Sequence, residues 1–75
     1  IHAIELGGGT YFVAHHLGDY DMVHRAIDDL YEMILDSSDA RLADAPIYVC
    51  YRDEPEARPA HELRADIYLP VEWGM

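Results

Sequence analysis

A single amphipathic stripe is the feature that most constrains this chain. Met22, Val23, Ala26, Ile27, Leu30, Met33 and Ile34 recur at i, i+3 and i+4 spacing, the period of a helix that buries one side. His24, Arg25, Asp28, Asp29, Glu32 and Asp36 fall on the opposite, wet side. Asp19 or Asp21 can cap the start, and acidic residues there suit the helix dipole. Ser37-Ser38-Asp39 ends the helix, and the stretch to Pro46 reads as a loop.

The remaining periodicity is that of strands. Thr10 to Leu17, rich in β-branched and aromatic residues, predicts a strand with Tyr11, Val13 and His15 on one face and Phe12, Ala14 and His16 on the other. Ile47 to Arg52 predicts a second, with Ile47, Val49 and Tyr51 opposite Tyr48, Cys50 and Arg52. The run from Asp53 to Pro59 carries two prolines and is too polar to continue it. Leu63, Ala65, Ile67 and Leu69 alternate with Arg64, Asp66 and Tyr68 in a half-buried strand expected to end at Pro70. Ile1 to Leu6 gives a weaker strand signal, and Gly7-Gly8-Gly9 marks a bulge or sharp bend. A phosphate loop is disfavoured there, because no Lys-Ser/Thr follows and a strand comes next.

The expected architecture is therefore α+β: a β-α-β-β module with one helix packed on a small antiparallel sheet, residues 1–75 forming one unit. One helix covers one face of a sheet only and leaves an edge open. A second module, from the same polypeptide or a symmetry mate, would resolve both problems. The chain is short enough to need such help, since domains this small bury only roughly 60–65% of their unfolded surface. Its single cysteine, Cys50, excludes an internal disulfide. The chain opens on Ile1 rather than Met, as a segment of a longer polypeptide would.

Fifteen acidic residues stand against five arginines and no lysine, a formal charge of −10. Such a surface repels phosphate backbones, so direct nucleic-acid contact is not expected. No apolar run approaches the ~20 residues of a membrane helix, and no signal peptide is evident. The chain reads as soluble and cytoplasmic.

Three segments resemble a known family. His16-Leu17-Gly18-Asp19-Tyr20 is similar to the H-x-G-x-Y with which the GyrI-like domain enters its helix. Tyr51-Arg52-Asp53-Glu54-Pro55 resembles the family's Y-x-x-D-P step after the middle strand, with Glu54 where Asp is common. Asp66-Ile67-Tyr68-Leu69-Pro70-Val71 resembles its closing strand. Two such modules usually follow one another in that family, and this chain is similar to the second. Members include effector-binding portions of AraC-type and MerR-type transcription regulators, stand-alone multidrug-binding proteins and a gyrase inhibitor; some relatives hydrolyse reactive toxins.

The resemblance implies a groove between paired modules, lined by aromatics and an acidic residue, that receives amphipathic and often cationic molecules. Tyr20 and Tyr51 match its tyrosines, and His16 falls at a motif position that lines it. Val49 stands where many members carry Glu, a departure that weakens the case for a strongly cationic ligand. Trp73 adds aromatic surface near the end of the closing strand. Tyr11, Tyr31 and Tyr48 are assigned to packing, because sheets favour tyrosine for that alone.

Asp66, flanked by apolar neighbours, is either a counter-ion for a ligand or the partner of Arg64 or Arg52. His15 and His16 point to opposite faces, so a shared metal is not expected, nor is a cofactor. No carboxylate or nucleophile has a recognisable catalytic spacing, and Cys50 reads as a small buried hydrophobe. The leading function is thus a small-molecule-binding regulatory module. An acidic protein-interaction module of the gyrase-inhibitor type is the second reading, and a toxin hydrolase the third.

Overall fold

The computed structural model describes residues 2–37 and 39–73, the side chain of Trp73 excepted. The expected β-α-β-β frame is present with two additional strands. β1 (His2–Leu6) and β2 (Gly9–Leu17) precede the helix α1 (Val23–Asp36), and β3 (Ala40–Leu42), β4 (Tyr48–Tyr51) and β5 (Arg64–Trp73) follow it. All neighbours are antiparallel, in the order β1-β2-β5-β3, with β4 also paired to β5.

The weak signal before the glycines is a true strand because the glycines close a two-residue hairpin. Leu6 pairs with Gly9, and Gly7 and Gly8 take φ of 58° and 87°, the left-handed region that such a turn requires at both positions. β3 lies in the stretch expected to be a loop. Ser37 Oγ accepts the backbone N–H groups of Asp39 and Ala40 at 3.2 and 3.3 Å, turning the chain out of the helix and directly into the sheet.

β5 runs through Pro70 rather than ending there. β4 pairs with residues 65–68 and β3 with residues 71–73, so Pro70 falls in the interval between them, where its missing N–H breaks no ladder bond. Its carbonyl accepts the N–H of Ala43 at 3.1 Å.

β5 is the spine of the core. Ala65, Ile67, Leu69 and Val71 are 0–3% exposed and pack with Val23, Leu30 and Ile34 of α1. Phe12 and Ala14 of β2, Val49 of β4 and Leu42 of β3 surround them on the same side. Met22 and Met33, at the margins of the sequence stripe, are about two-fifths exposed at 41% and 42%. Asp19 caps a 3-10 turn over Tyr20–Met22 by accepting the Asp21 N–H at 3.0 Å, and α1 proper begins after it. No helix among the described residues is long and apolar enough to cross a membrane.

Candidate functional site

The sequence-predicted residues divide between the two sides of the sheet. Val49 and Tyr51 of β4 pair with Ile67 and Ala65, and His16 pairs with Ala65, which puts all three on the helix side. Tyr20 stands beside them at the helix entrance, its ring 4.7 Å from that of Tyr51 in an edge-on contact. Asp66 pairs with Cys50 and His15 and so belongs to the other side. The Trp73 side chain lies outside the described residues.

The Tyr20 hydroxyl is fully engaged. It lies 2.7 Å from the carbonyl oxygens of both Asp53 and Arg64, sharing its one proton between them, and accepts the Asp53 N–H at 3.1 Å. Asp53 in turn grips Arg64. Its two carboxylate oxygens accept Arg64 Nε and Nη2 at 2.9 Å each, and Oδ2 also accepts the Arg64 backbone N–H. Arg58 Nε adds a contact at 3.3 Å. These interactions, led by the Arg64 side-chain hydrogen bonds and opposed by burial, hold the Asp53 carboxyl down at about 2. Tyr20, Asp53 and Arg64 together clasp the connection between β4 and β5. His16 Nε2 donates to the Asp19 carbonyl at 3.1 Å and helps shape the helix entrance.

Among the described residues no helix packs on the far side of the sheet, although Val13 and Tyr11 on it are only 3% and 6% exposed. Register puts His2 and Ile4 of β1, Tyr11, Val13 and His15 of β2, Asp66, Tyr68 and Pro70 of β5, and Tyr48 and Cys50 of β4 on it. Cys50 is exposed there, which corrects the expectation of burial. Alternation turns it away from the helix, where it stays exposed.

The sheet curls enough that the rings of Tyr11 and Tyr48 meet across β5, with centroids 5.6 Å apart. Burial, and then the neighbouring Tyr48, push the Tyr11 hydroxyl pKa up. Next to this pair, His15 Nδ1 donates to Asp66 Oδ1 at 2.6 Å, and Arg52 Nε lies 4.0 Å from Asp66 Oδ2. Of the two pairings foreseen for Asp66, the one with Arg52 is present as this looser contact, while Arg64 is taken by Asp53. His2 stacks obliquely on His15 at 5.6 Å.

A concavity of about 420 Å³ adjoins the Tyr11 end of this face, between the Gly7-Gly8-Gly9 turn, Pro70 and the segment from Ala43 to Ala45. A smaller one of about 250 Å³ lies on the helix side, between Ala14, His16, Ala26, Leu30 and Met33. The larger falls in the size range of sites for small organic molecules. Among the described residues, no group of three His, Cys, Asp or Glu side chains is arranged to hold a metal ion.

Tyr11, assigned to packing from the sequence, is buried at 6% exposure, whereas Tyr48, assigned likewise, is 48% exposed on this face. The signal for it was available: Tyr48, Tyr68 and Tyr11 alternate onto the same side as Asp66, and one helix covers only the other side.

With this fold and this surface, the chain belongs to the GyrI-like small-molecule binding domain family, whose match extends over residues 1–72. It is 31% identical over 67 residues to a probable transcriptional regulator, YgiV, of Escherichia coli strain K12, and equally to the protein of that name from Escherichia coli O157:H7. That similarity covers 89% of this chain but 42% of each relative, so the chain spans less than half the length of the curated proteins it matches. No solved structure gives a significant match.

Proposed function

We propose that the uncovered sheet face binds a small amphipathic organic molecule, and that the chain is the effector-sensing part of a transcription regulator or of a stand-alone binding protein. The observation that carries this is the tyrosine platform: Tyr48, 48% exposed, stands beside its β5 partner Tyr68 and is backed by the buried ring of Tyr11, on a face that no helix covers among the described residues. Flat rings supply apolar area at low entropic cost and suit planar ligands. Similarity to probable transcriptional regulators supports a regulatory role, and the small-molecule binding family supports a small ligand.

A second module or a second copy then closes the face into a groove, since a shallow platform alone encloses little of a ligand. The helix-side residues His16, Val49, Tyr20 and Tyr51 form the competing lining.

Titration with the neutral fluorophore N-phenyl-1-naphthylamine separates the two. Tyr48→Ala should weaken binding by roughly two- to tenfold, the range expected for losing one aromatic contact, while Tyr51→Ala should leave it within about twofold. The opposite pattern places the ligand on the helix side and refutes the platform. Saturable binding by neither the parent nor the variants refutes small-molecule binding by this chain alone.

One observation favours a protein partner as a second reading. Asp28, Asp29, Glu32 and Asp36 form an exposed acidic surface on α1, suited to a basic partner whose binding would weaken steeply with salt.

A further inference from the structure

Charge is divided unevenly between the two sides of this sheet. The chain carries −10 overall, and much of that lies on α1 and in the loops. On the uncovered face, by contrast, β5 contributes two carboxylates, Asp66 and Glu72, and both are already engaged. Asp66 faces His15 at 2.6 Å and Arg52 at 4.0 Å, and its side chain is only 14% exposed. Glu72 pairs with Arg41 at 3.3 Å. Three of the five arginines, Arg41, Arg52 and Arg64, stand on or beside this face.

The donors are less fully used than the acceptors. Arg64 is occupied by Asp53, but among the described residues the side chain of Arg52 has only the ion pair with Asp66, too long for a hydrogen bond. Its guanidinium is 48% exposed and carries five N–H donors in a fork suited to an oxyanion.

We infer that this face selects aromatic or apolar ligands that bear an anionic group, a carboxylate or sulfonate, with Arg52 as the receiver. The inference rests on the reading of this face as the binding site and specifies the ligand's charge. The acidic residues of α1 lie across the sheet from this face, whereas Arg52 directly follows β4 and meets Asp66 on the face itself. Tyrosine faces attract cations, but a cation seated over them would find Asp66 already paired with Arg52 and His15.

Two dyes with one ring skeleton test this. The 75-residue chain is titrated with 1-anilinonaphthalene-8-sulfonate and with N-phenyl-1-naphthylamine, which lacks the sulfonate. The sulfonate should bind about fivefold more tightly at low salt, the scale of one half-exposed ion pair, and added salt should shrink this advantage. Arg52→Gln should bring the two dyes to within about twofold of each other, with helix and sheet content checked by circular dichroism. Arg52→Lys keeps the charge without the fork and should retain part of the preference.

Equal affinity of the two dyes for the parent chain overturns the inference, and so does a preference that survives Arg52→Gln. If both dyes bind but neither responds to Tyr48→Ala, the platform reading fails first and this inference falls with it. If the neutral dye does respond and no preference exists, only the charge selection is wrong.

Discussion

Replacing Tyr20 by Phe removes one oxygen atom and keeps the ring, so it isolates the clasp between β4 and β5. The hydroxyl donates one proton, shared between the Asp53 and Arg64 carbonyls, and accepts the Asp53 N–H. Two hydrogen bonds are lost, each with a net value of about 1 kcal/mol. The Asp53 N–H is also left in a partly buried place, where water can replace the hydroxyl only in part. The expected cost is about 2 kcal/mol. For a domain of this size that lowers the melting temperature by roughly 10 °C. In urea it moves the midpoint down by about 2 M, if the slope is near 1 kcal/mol per M.

Equilibrium unfolding followed by far-ultraviolet circular dichroism measures both shifts. Tyr51→Phe is the control, because the Tyr51 side chain is held by its ring contact alone, and its midpoint should stay within about 0.5 kcal/mol of the parent. A Tyr20→Phe midpoint indistinguishable from that control would refute the clasp as a source of stability.

Two further stability predictions follow from the core and from Asp53. Leu69→Ala empties a position with 0% exposure at the centre of β5 and should cost about 2–5 kcal/mol, a large share of the ~4–11 kcal/mol expected for a chain of this length; loss of a cooperative thermal transition would be the readout. Asp53 has its folded pKa depressed from 3.8 to about 2, so the unfolded chain binds the proton more readily. Its stabilising contribution is complete above the unfolded pKa and disappears as pH falls through the window from about 4 to 2. Asp53→Asn should therefore flatten the acid limb of a stability-versus-pH curve in that window, and an unchanged limb would show that other carboxylates dominate it.

The helix was legible because its stripe repeats over more than three turns, and Val23, Leu30 and Ile34 are buried as their spacing requires. β5 was legible for the same reason, as strict alternation delivers Ala65, Ile67 and Leu69 to the core. β3 was not, since three residues are too few to display a period, and its formation depends on the Ser37 hydroxyl and on the free edge of β5. The continuation of β5 past Pro70 was equally hidden, because proline's tolerance there depends on a gap between two partners that are distant in sequence. Asp66 was placed on the correct side by alternation, but its closest partner, His15, lies 51 residues away on β2. The burial assigned to Cys50 failed because residue type was weighed above alternation.

The two sets of tyrosines have different physical roles, and the family motifs report only one of them. Tyr20 and Asp53 stand in the recognisable H-x-G-x-Y and Y-x-x-D-P segments; the Tyr20 hydroxyl is bonded to the Asp53 and Arg64 backbone, and the Asp53 carboxylate grips Arg64. They fix where β4 leaves the sheet and where β5 begins. Arg52, one residue before Asp53, donates its N–H to the Arg64 carbonyl at 2.9 Å, the same carbonyl that Tyr20 holds. The clasp therefore sets the position of Arg52 relative to Asp66. The platform tyrosines Tyr11 and Tyr48 require only alternation and an aromatic ring, a pattern common to many sheets. A segment can thus identify this fold through residues that build it, while the ligand is chosen by neighbours one step out of phase along the same strands. Loosening the clasp with Tyr20→Phe should then erode any discrimination that depends on Arg52 before it erodes binding to the rings.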